Sequence, residues 1–338
     1  MPKFRGFSRL LLLWLICLAG AQTSEAQSWT HAPLVDYDQA SEDDSWLWKE
    51  TLAGSDEGYT ELIERIGSLW NESTDFQQLD LILSQLNAAA SSRPERVDAY
   101  YLIGKFHYTA QKWQECAQAL ETAFTIDPGF RNAPARRRGA LETMLGSCQL
   151  YAGNYESAIA HFKRILTLEV GADLAKQRLL VEQRLGEAYM ALGRLDEAIE
   201  FLTMAAKPNG RREARYSLAV ALDRAERIGE SQAIMRRVIK RDYDLDYLLA
   251  ADHSYAPASD EHYYLGLAYS HPLHKKKTHA VYHFRRYLKL APDSPWNRRA
   301  KRHLAAVSSP PFAGDLEVAG EILWGRAELQ KLFANKAS

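Results

Sequence analysis

Four histidines lie close together near the C-terminal end of the chain, at His271, His274, His279 and His283. Imidazole nitrogens bind divalent metals, and His279 and His283 are four residues apart, so they would share one face of a helix. The three lysines at 275–277 oppose a bound cation, and no carboxylate or cysteine completes a ligand set. We therefore expect a solvated basic turn that could meet an acidic protein or an anionic lipid surface, and we expect no cofactor.

Motifs for covalent or phosphate chemistry are missing from the sequence. It contains no G-x-S-x-G nucleophile elbow, no glycine-rich phosphate loop and no H-E-x-x-H pair. The sequence therefore predicts a protein that is not an enzyme.

Basic pairs and triplets are spread along the second half of the chain, at Arg136–Arg138, Arg211–Arg212, Arg236–Arg237 and Arg298–Arg299. Acidic residues separate them, and a dispersed pattern of this kind is typical of a solvated surface. We expect no nucleic-acid partner.

The first 21 residues have the layout of a secretory signal peptide. Lys3, Arg5 and Arg9 precede an apolar run from Leu10 to Ala19, and small residues follow at 19–21. The run is short for a membrane span, and no later stretch is apolar enough to form one. Cys17 follows a bulky isoleucine, which disfavours a lipid anchor. We expect an exported protein, periplasmic or extracellular.

Residues 22–58 are expected to form an acidic N-terminal arm with little helical periodicity. Residues 22–95 contain 15 acidic and 3 basic residues, whereas residues 96–338 contain 36 basic and 28 acidic residues. This contrast in charge permits the acidic arm to dock on the basic remainder of the chain. A solvated acidic leader is the alternative.

The segment at 186–202, GEAYMALGRLDEAIEFL, contains two amphipathic runs joined by a turn at Gly193. Small residues, Gly186 and Ala198, occupy the positions where the two helices would cross. The same arrangement recurs with a small residue in each run, at 104 and 116, 146 and 158, 219 and 231, and 266 and 280. The step between the two small residues is 12 in four copies and 14 in the last, which predicts two extra residues in that turn.

This repeated unit resembles the tetratricopeptide repeat (TPR), a helix-turn-helix unit with a period of about 34 residues. The resemblance implies an all-α fold, an α-α superhelix of about five TPR-like helix-turn-helix repeats plus capping helices. The expected organisation is a signal peptide at 1–21, the arm at 22–58, a degenerate helical repeat at 59–95, the repeat array at 96–294 and capping helices at 295–338.

Two cysteines would remain after export, Cys116 in the second helix of one repeat and Cys148 in the first helix of the next. Free cysteine is among the most buried residue types, so two separate buried thiols are the preferred expectation. A disulfide that joins the adjacent repeats is the alternative, and an oxidising compartment would permit it.

Helical periodicity places a second stripe of residues beside the core stripe of each first helix, and we call it the predicted groove face. The resemblance implies that such a face holds a peptide or a partner protein. Its members are Tyr101, Lys105, Tyr108, Thr143, Ser147, Leu150, Gln183, Glu187, Met190, Tyr216, Val220, Asp223, Tyr263, Leu267 and Ser270. Any of the tyrosines could instead pack between repeats. Only Lys105 fits the set that clamps a chaperone's C-terminal carboxylate in some relatives, so that activity is not expected.

The expected function is a non-enzymatic protein-protein interaction scaffold outside the cytoplasm, with a role in cell-envelope assembly that rests on family analogy. Its partner would be a protein or peptide, and peripheral association with the envelope is compatible with export. Two alternatives stay open. One is a self-associating structural repeat protein, and the other is an accessory subunit of an envelope enzyme or secretion complex.

Overall fold

The computed structural model contains helices and connecting turns, and no strands, in the residues that it describes, which are 76–131, 135–167, 175–208, 210–250, 253–274 and 276–308. All of these residues lie within one compact unit, 31–338. The expected signal peptide, the acidic arm, the start of the degenerate repeat and the part of the capping region beyond residue 308 fall outside the described residues.

The described residues contain five helix pairs and three further α-helices. They confirm the predicted all-α fold of TPR-like repeats. The pairs are α2 (Val97–Thr109) with α3 (Trp113–Ile126), α4 (Ala135–Tyr151) with α5 (Tyr155–Thr167), α6 (Ala175–Ala191) with α7 (Leu195–Ala205), α8 (Arg212–Arg224) with α9 (Ile228–Ile239), and α11 (Asp260–Ser270) with α12 (Lys277–Leu290). Helix α1 (Phe76–Ser92) precedes them, the short α10 (Asp246–Leu249) lies between the fourth and fifth pairs, and α13 (Asn297–Val307) follows.

Three residues connect the two helices of each of the first four pairs, and the middle residue has a left-handed backbone. Gly153 and Gly193 have φ values of 88° and 77° there, while Gln111 and Glu226 have 56° and 59°. In the third pair, the amide of Arg194 donates to the carbonyl of Tyr189 at 2.9 Å, which ends the first helix. The left-handed backbone costs a residue with a side chain roughly 1–2 kcal/mol, so glycine is the favourable choice.

Close approach of the two helices in a pair depends on the small residues that the sequence places at their crossing. A Cβ atom on Gly186 would lie 2.5 Å from Cγ of Leu202 and 3.1 Å from the carbonyl oxygen of Ala198. The equivalent glycines of the other pairs would meet Leu120, Phe162 and Phe284 at 2.5, 2.7 and 2.9 Å. The fourth pair has alanine at this place, and Ser231 Oγ donates to the carbonyl of Ala219 at 2.7 Å. The predicted crossing points are thus where the helices touch.

The fifth pair has a longer turn, as its spacing predicts. Helix α11 ends at Ser270 and α12 begins at Lys277, so six residues separate them, three more than in the other pairs. Helix α11 ends one residue sooner after Gly266 than α6 ends after Gly186, which leaves the net step of two that the sequence shows. Ala280 nevertheless stands three residues into α12, as Ala198 stands three residues into α7. The extra residues therefore change the turn and leave the crossing point in register.

A disulfide joins the first and second pairs. Cys116 on α3 and Cys148 on α4 are both fully buried, and their Cα atoms are 5.8 Å apart. The structure thus pairs the two cysteines, and the preferred expectation of two separate thiols is wrong. Helical geometry is the reason, because Cys148 lies on the side of α4 that faces the preceding pair.

A hydrophobic core of buried residues extends from Leu150 to Val307 and links the later pairs with α13. A smaller cluster surrounds the disulfide and includes Leu120, Met144 and Leu145. In the described part of the chain, none of the helices combines the length and the apolar character needed to cross a membrane.

Replacing Gly186 tests the close approach of the helices. We expect Gly186→Ala to lower the free energy of unfolding by about 1–3 kcal/mol, because the new methyl group meets Leu202 and the α7 backbone. Gly229→Ala is the matched control. Its Cβ meets no atom within 4 Å, so it should be neutral or stabilise the protein by up to about 1 kcal/mol. Urea unfolding followed by circular dichroism measures the free energy of unfolding of both variants. Equal changes in the two variants would contradict the expectation.

Candidate functional site

Most of the predicted groove face is covered in the structure. Tyr101, Lys105, Tyr108 and Ser270 are half-buried. The other eleven are buried, namely Thr143, Ser147, Leu150, Gln183, Glu187, Met190, Tyr216, Val220, Asp223, Tyr263 and Leu267. Those eleven do not form an open surface in this structure, contrary to the expectation. A role in partner binding stays a prediction for the whole set.

Hydrogen bonds link the buried Glu187 to its own helix and to the neighbouring pair. Glu187 accepts from Nε2 of Gln183 at 2.9 Å, from Nη1 of Arg184 at 2.8 Å and from Oγ of Ser217 at 2.8 Å. Burial raises the pKa of Glu187, but the nearby Arg184 charge and the hydrogen bonds outweigh burial and leave the pKa below its usual range. Glu187 is therefore a charged residue that connects α6 to α8.

Aromatic rings extend this contact surface toward the first pair. The ring of Tyr108 lies 5.5 Å from that of Trp113, which lies 4.7 Å from the ring of Tyr151. The guanidinium of Arg184 stacks on Tyr151 at 5.1 Å. Burial raises the pKa of Tyr108 and of Tyr151, so both phenols stay neutral. We name Tyr108, Trp113 and Tyr151 the aromatic cluster.

Asp223 is the anchor for the last helix. It accepts hydrogen bonds from the hydroxyl of Tyr263 at 2.7 Å and from Nη2 of Arg299 at 2.6 Å, and it lies 2.8 Å from Nε2 of His303. Burial raises the pKa of Asp223, but the hydrogen bonds from His303 and Arg299 outweigh burial and lower the pKa to about 2. This predicted groove residue thus holds α13 against α8.

A second buried ion pair, which the sequence analysis missed, joins the fourth and fifth pairs. Nη2 of Arg224 donates to Oδ1 of Asp260 at 2.8 Å, and both side chains are almost fully buried. The guanidinium also stacks on Tyr263 at 4.6 Å and on Trp296 at 5.0 Å. The two charges are 36 residues apart in the sequence, so no local spacing signals their pairing.

Three of the four histidines are buried, contrary to the expected solvated turn, whereas His279 is half-buried and Lys277 is exposed. His283, His274 and His271 are 0%, 2% and 7% exposed. Nδ1 of His283 lies 3.0 Å from Nδ1 of His262, and the ring of Tyr269 stacks on His283 at 5.6 Å. Within the described residues, no group of three or more histidine, cysteine or acidic side chains is arranged to hold a metal ion.

Burial sets the protonation of these histidines. It lowers the pKa of His262 to about 4, with help from the nearby Arg286 charge, and it lowers the pKa of His274 to about 4, with help from Lys276. Burial also lowers the pKa of His283 far below its usual value. The cluster is neutral at pH 7 because a proton would place an uncompensated charge in the core.

Stacked helix pairs with small residues at each crossing define a helical-repeat protein. The family model for the tetratricopeptide repeat matches residues 149–211, which include α5, α6 and α7. The match supports a TPR protein. The helix pairs outside the matched residues have the same build. No curated protein sequence matches the chain.

Several solved structures are similar in part. YrrB, a TPR protein with an unusual peptide-binding site, is 15% identical, with 64% of this chain and 97% of that chain covered and a TM-score of 0.36. PilF of Pseudomonas aeruginosa is 12% identical, with 73% and 99% covered and a TM-score of 0.44. PilW, a type IV pilus biogenesis factor, is 13% identical, with 75% and 100% covered and a TM-score of 0.45. Likeness at this level establishes no shared function.

Acid should destabilise the fifth pair. The folded pKa of His262, about 4, lies below the unfolded value of 6.5, so the unfolded chain binds more protons between these pH values. Stability is therefore lost as pH falls from 6.5 toward 4, by about 2 kcal/mol at pH 5 for this group. Urea unfolding at pH 7 and pH 5 should show the loss. His262→Phe should reduce it, and equal pH dependence in both proteins would rule out the assignment.

Removing the charge of Asp223 should loosen the last helix. We expect Asp223→Asn to cost about 2–4 kcal/mol of unfolding free energy, because Arg299 and His303 lose a buried anionic partner. Glu226→Gln is the matched control, since Glu226 pairs with Arg302 at an exposed site and should cost less than about 1 kcal/mol. Chemical unfolding compares the two variants, and similar losses would argue against the anchoring role.

Proposed function

We propose that this protein is a non-enzymatic scaffold that binds another protein, and that it works outside the cytoplasm. The observation that carries the proposal is the TPR family match at 149–211 within a series of five helix pairs of the same build. TPR proteins are generally interaction scaffolds without catalytic activity. An array of this kind offers a long, rigid surface made from successive first helices.

The first pair provides the most accessible part of that surface. Tyr101, Lys105 and Tyr108 are half-buried, whereas the equivalent residues of the second to fourth pairs are buried. Tyrosine adds contact area at small entropic cost and keeps one polar tip, which suits a protein interface. We therefore assign partner binding to this segment of α2 together with the neighbouring aromatic cluster.

Two features support a location outside the cytoplasm. Residues 1–21 have the charge, apolar run and small residues of a secretory signal. The disulfide between Cys116 and Cys148 suits an oxidising compartment, because structural disulfides are rare in reducing cytosol. We propose a cell-envelope partner, to be sought in the assembly complexes of the envelope.

Capture of a partner from envelope extract tests the proposal. Tyr101→Ala combined with Lys105→Ala should weaken capture at least roughly tenfold, since clustered anchor residues carry most of the energy of an interface. Tyr216 is unsuitable for this test because it is buried and donates to Asp242 at 2.7 Å.

Tyr243→Ala is the matched control, because Tyr243 is 51% exposed and lies outside the predicted groove face. The control should capture the partner normally, and circular dichroism should show equal helicity in all variants. Undiminished capture by the double variant would contradict the assignment to α2. Self-association, seen by light scattering at several concentrations, with no other protein captured would contradict the scaffold function.

A further inference from the structure

The disulfide lies next to the surface that we propose for partner binding. Cys116 and Cys148 are both 0% exposed, and they belong to a small apolar cluster that includes Leu120. Tyr101 and Tyr108, on the neighbouring helix α2, pack against this cluster. The bond therefore joins α3 to α4 at the place where the two tyrosines of the proposed surface are supported.

The two cysteine positions carry other small residues in the later pairs. Cys116 is the small residue of α3 at the helix crossing. Its counterparts are Ala158, Ala198, Ser231 and Ala280. Cys148 lies two residues beyond the crossing glycine of α4. Its counterparts on the later first helices are Ala188, Ala221 and Ala268. Alanine thus satisfies the packing at both positions, so the cysteines are distinguished by the covalent bond that they form.

The first pair lies outside the large core of the array. In the described chain, the core that extends from Leu150 to Val307 contains no residue of 97–126. Two smaller clusters, of six and three buried residues, join the first pair to α4. Because each unit of a repeat array is held by its neighbours, a boundary with a small core opens more readily than one inside a continuous core.

We infer that the disulfide controls partner binding by holding the first pair against the second. This inference rests on the proposed function and concerns the regulation of the same surface. With the bond closed, Tyr101 and Tyr108 keep a fixed position against the cluster, which reduces the entropy lost when a partner binds. With the bond open, the boundary fluctuates, and the two tyrosines no longer present one continuous surface with Tyr151.

Formation of the bond links binding to the compartment. Closing it removes one hydrogen atom from each thiol, and the two electrons and two protons pass to the disulfide of an oxidant protein, which becomes a dithiol. Thiols stay reduced in the cytosol and are oxidised outside it. A chain that is still in the cytoplasm therefore keeps the bond open and binds its partner weakly. Because both cysteines are fully buried once the bond is closed, a reductant reaches them only when the boundary opens.

Removing the bond tests the inference. Cys116→Ala combined with Cys148→Ala should weaken partner capture from envelope extract at least roughly tenfold, because the first pair loses its fixed position. Hydrogen exchange read by mass spectrometry should become faster in α2 and α3 and stay unchanged in α8 and α9. Circular dichroism should show equal helicity, since alanine is the residue that later pairs carry at both positions.

Reduced wild type provides the same comparison without a substitution. Protein refolded from urea in dithiothreitol should capture the partner as weakly as the double variant does. Gly186→Ala is the matched control, because it strains the third pair and leaves the disulfide in place. This control should capture the partner normally. Equal weakening by Gly186→Ala and by the double variant would overturn the inference, since general destabilisation would then explain both results.

Capture and hydrogen exchange together separate this inference from the proposed function. Undiminished capture by the double variant and by reduced wild type would overturn the inference and leave the scaffold in place. Exchange in α2 and α3 that does not change when the bond is lost would also overturn it. Failure of oxidised wild type to capture any protein would contradict the scaffold. Faster exchange in α2 and α3 of the double variant would then still support the role of the bond in holding the first pair.

Discussion

Close packing of a small residue on one helix against a side chain of its partner helix is the constraint on which the structure depends. In four of the five pairs a glycine on the first helix leaves room for a leucine or phenylalanine of the second, with no space for a Cβ atom. Close packing at these points sets how the two helices cross. The crossing in turn decides which side of each first helix faces the next pair, and so where polar side chains can find partners.

Polar and charged side chains then hold successive pairs together. Glu187 joins α6 to α8 through Ser217, and Arg224 joins α8 to α11 through Asp260. Buried charges are stable only with such partners, and removing one partner costs far more than removing an exposed pair. Both the polar contacts and the packing inside the array therefore depend on particular residues. The proposed contact with a partner protein therefore lies at the first pair, where the groove-face residues are half-buried.

Sequence alone was sufficient for the fold because its signals are local. Small residues recur at a step of 12, and Gly193 marks a tight turn, so helix pairs and their crossing points are visible without coordinates. The solvent accessibility of the predicted groove face was not predictable from the sequence in the same way. Tyr263 reaches Asp223 across 40 residues and His303 reaches it across 80 residues, and neither spacing is a local pattern.

Hydroxyl-radical footprinting of the native protein, read by mass spectrometry, tests the central claim most directly. The account holds that interactions within and between pairs cover the predicted groove face everywhere except in the first pair and at Ser270. Tyr101 and Tyr108, which are half-buried, should therefore be oxidised faster than Tyr216 and Tyr263, which are fully buried. Unfolding in urea should remove the difference. Equal rates for all four tyrosines in the native protein would contradict the account.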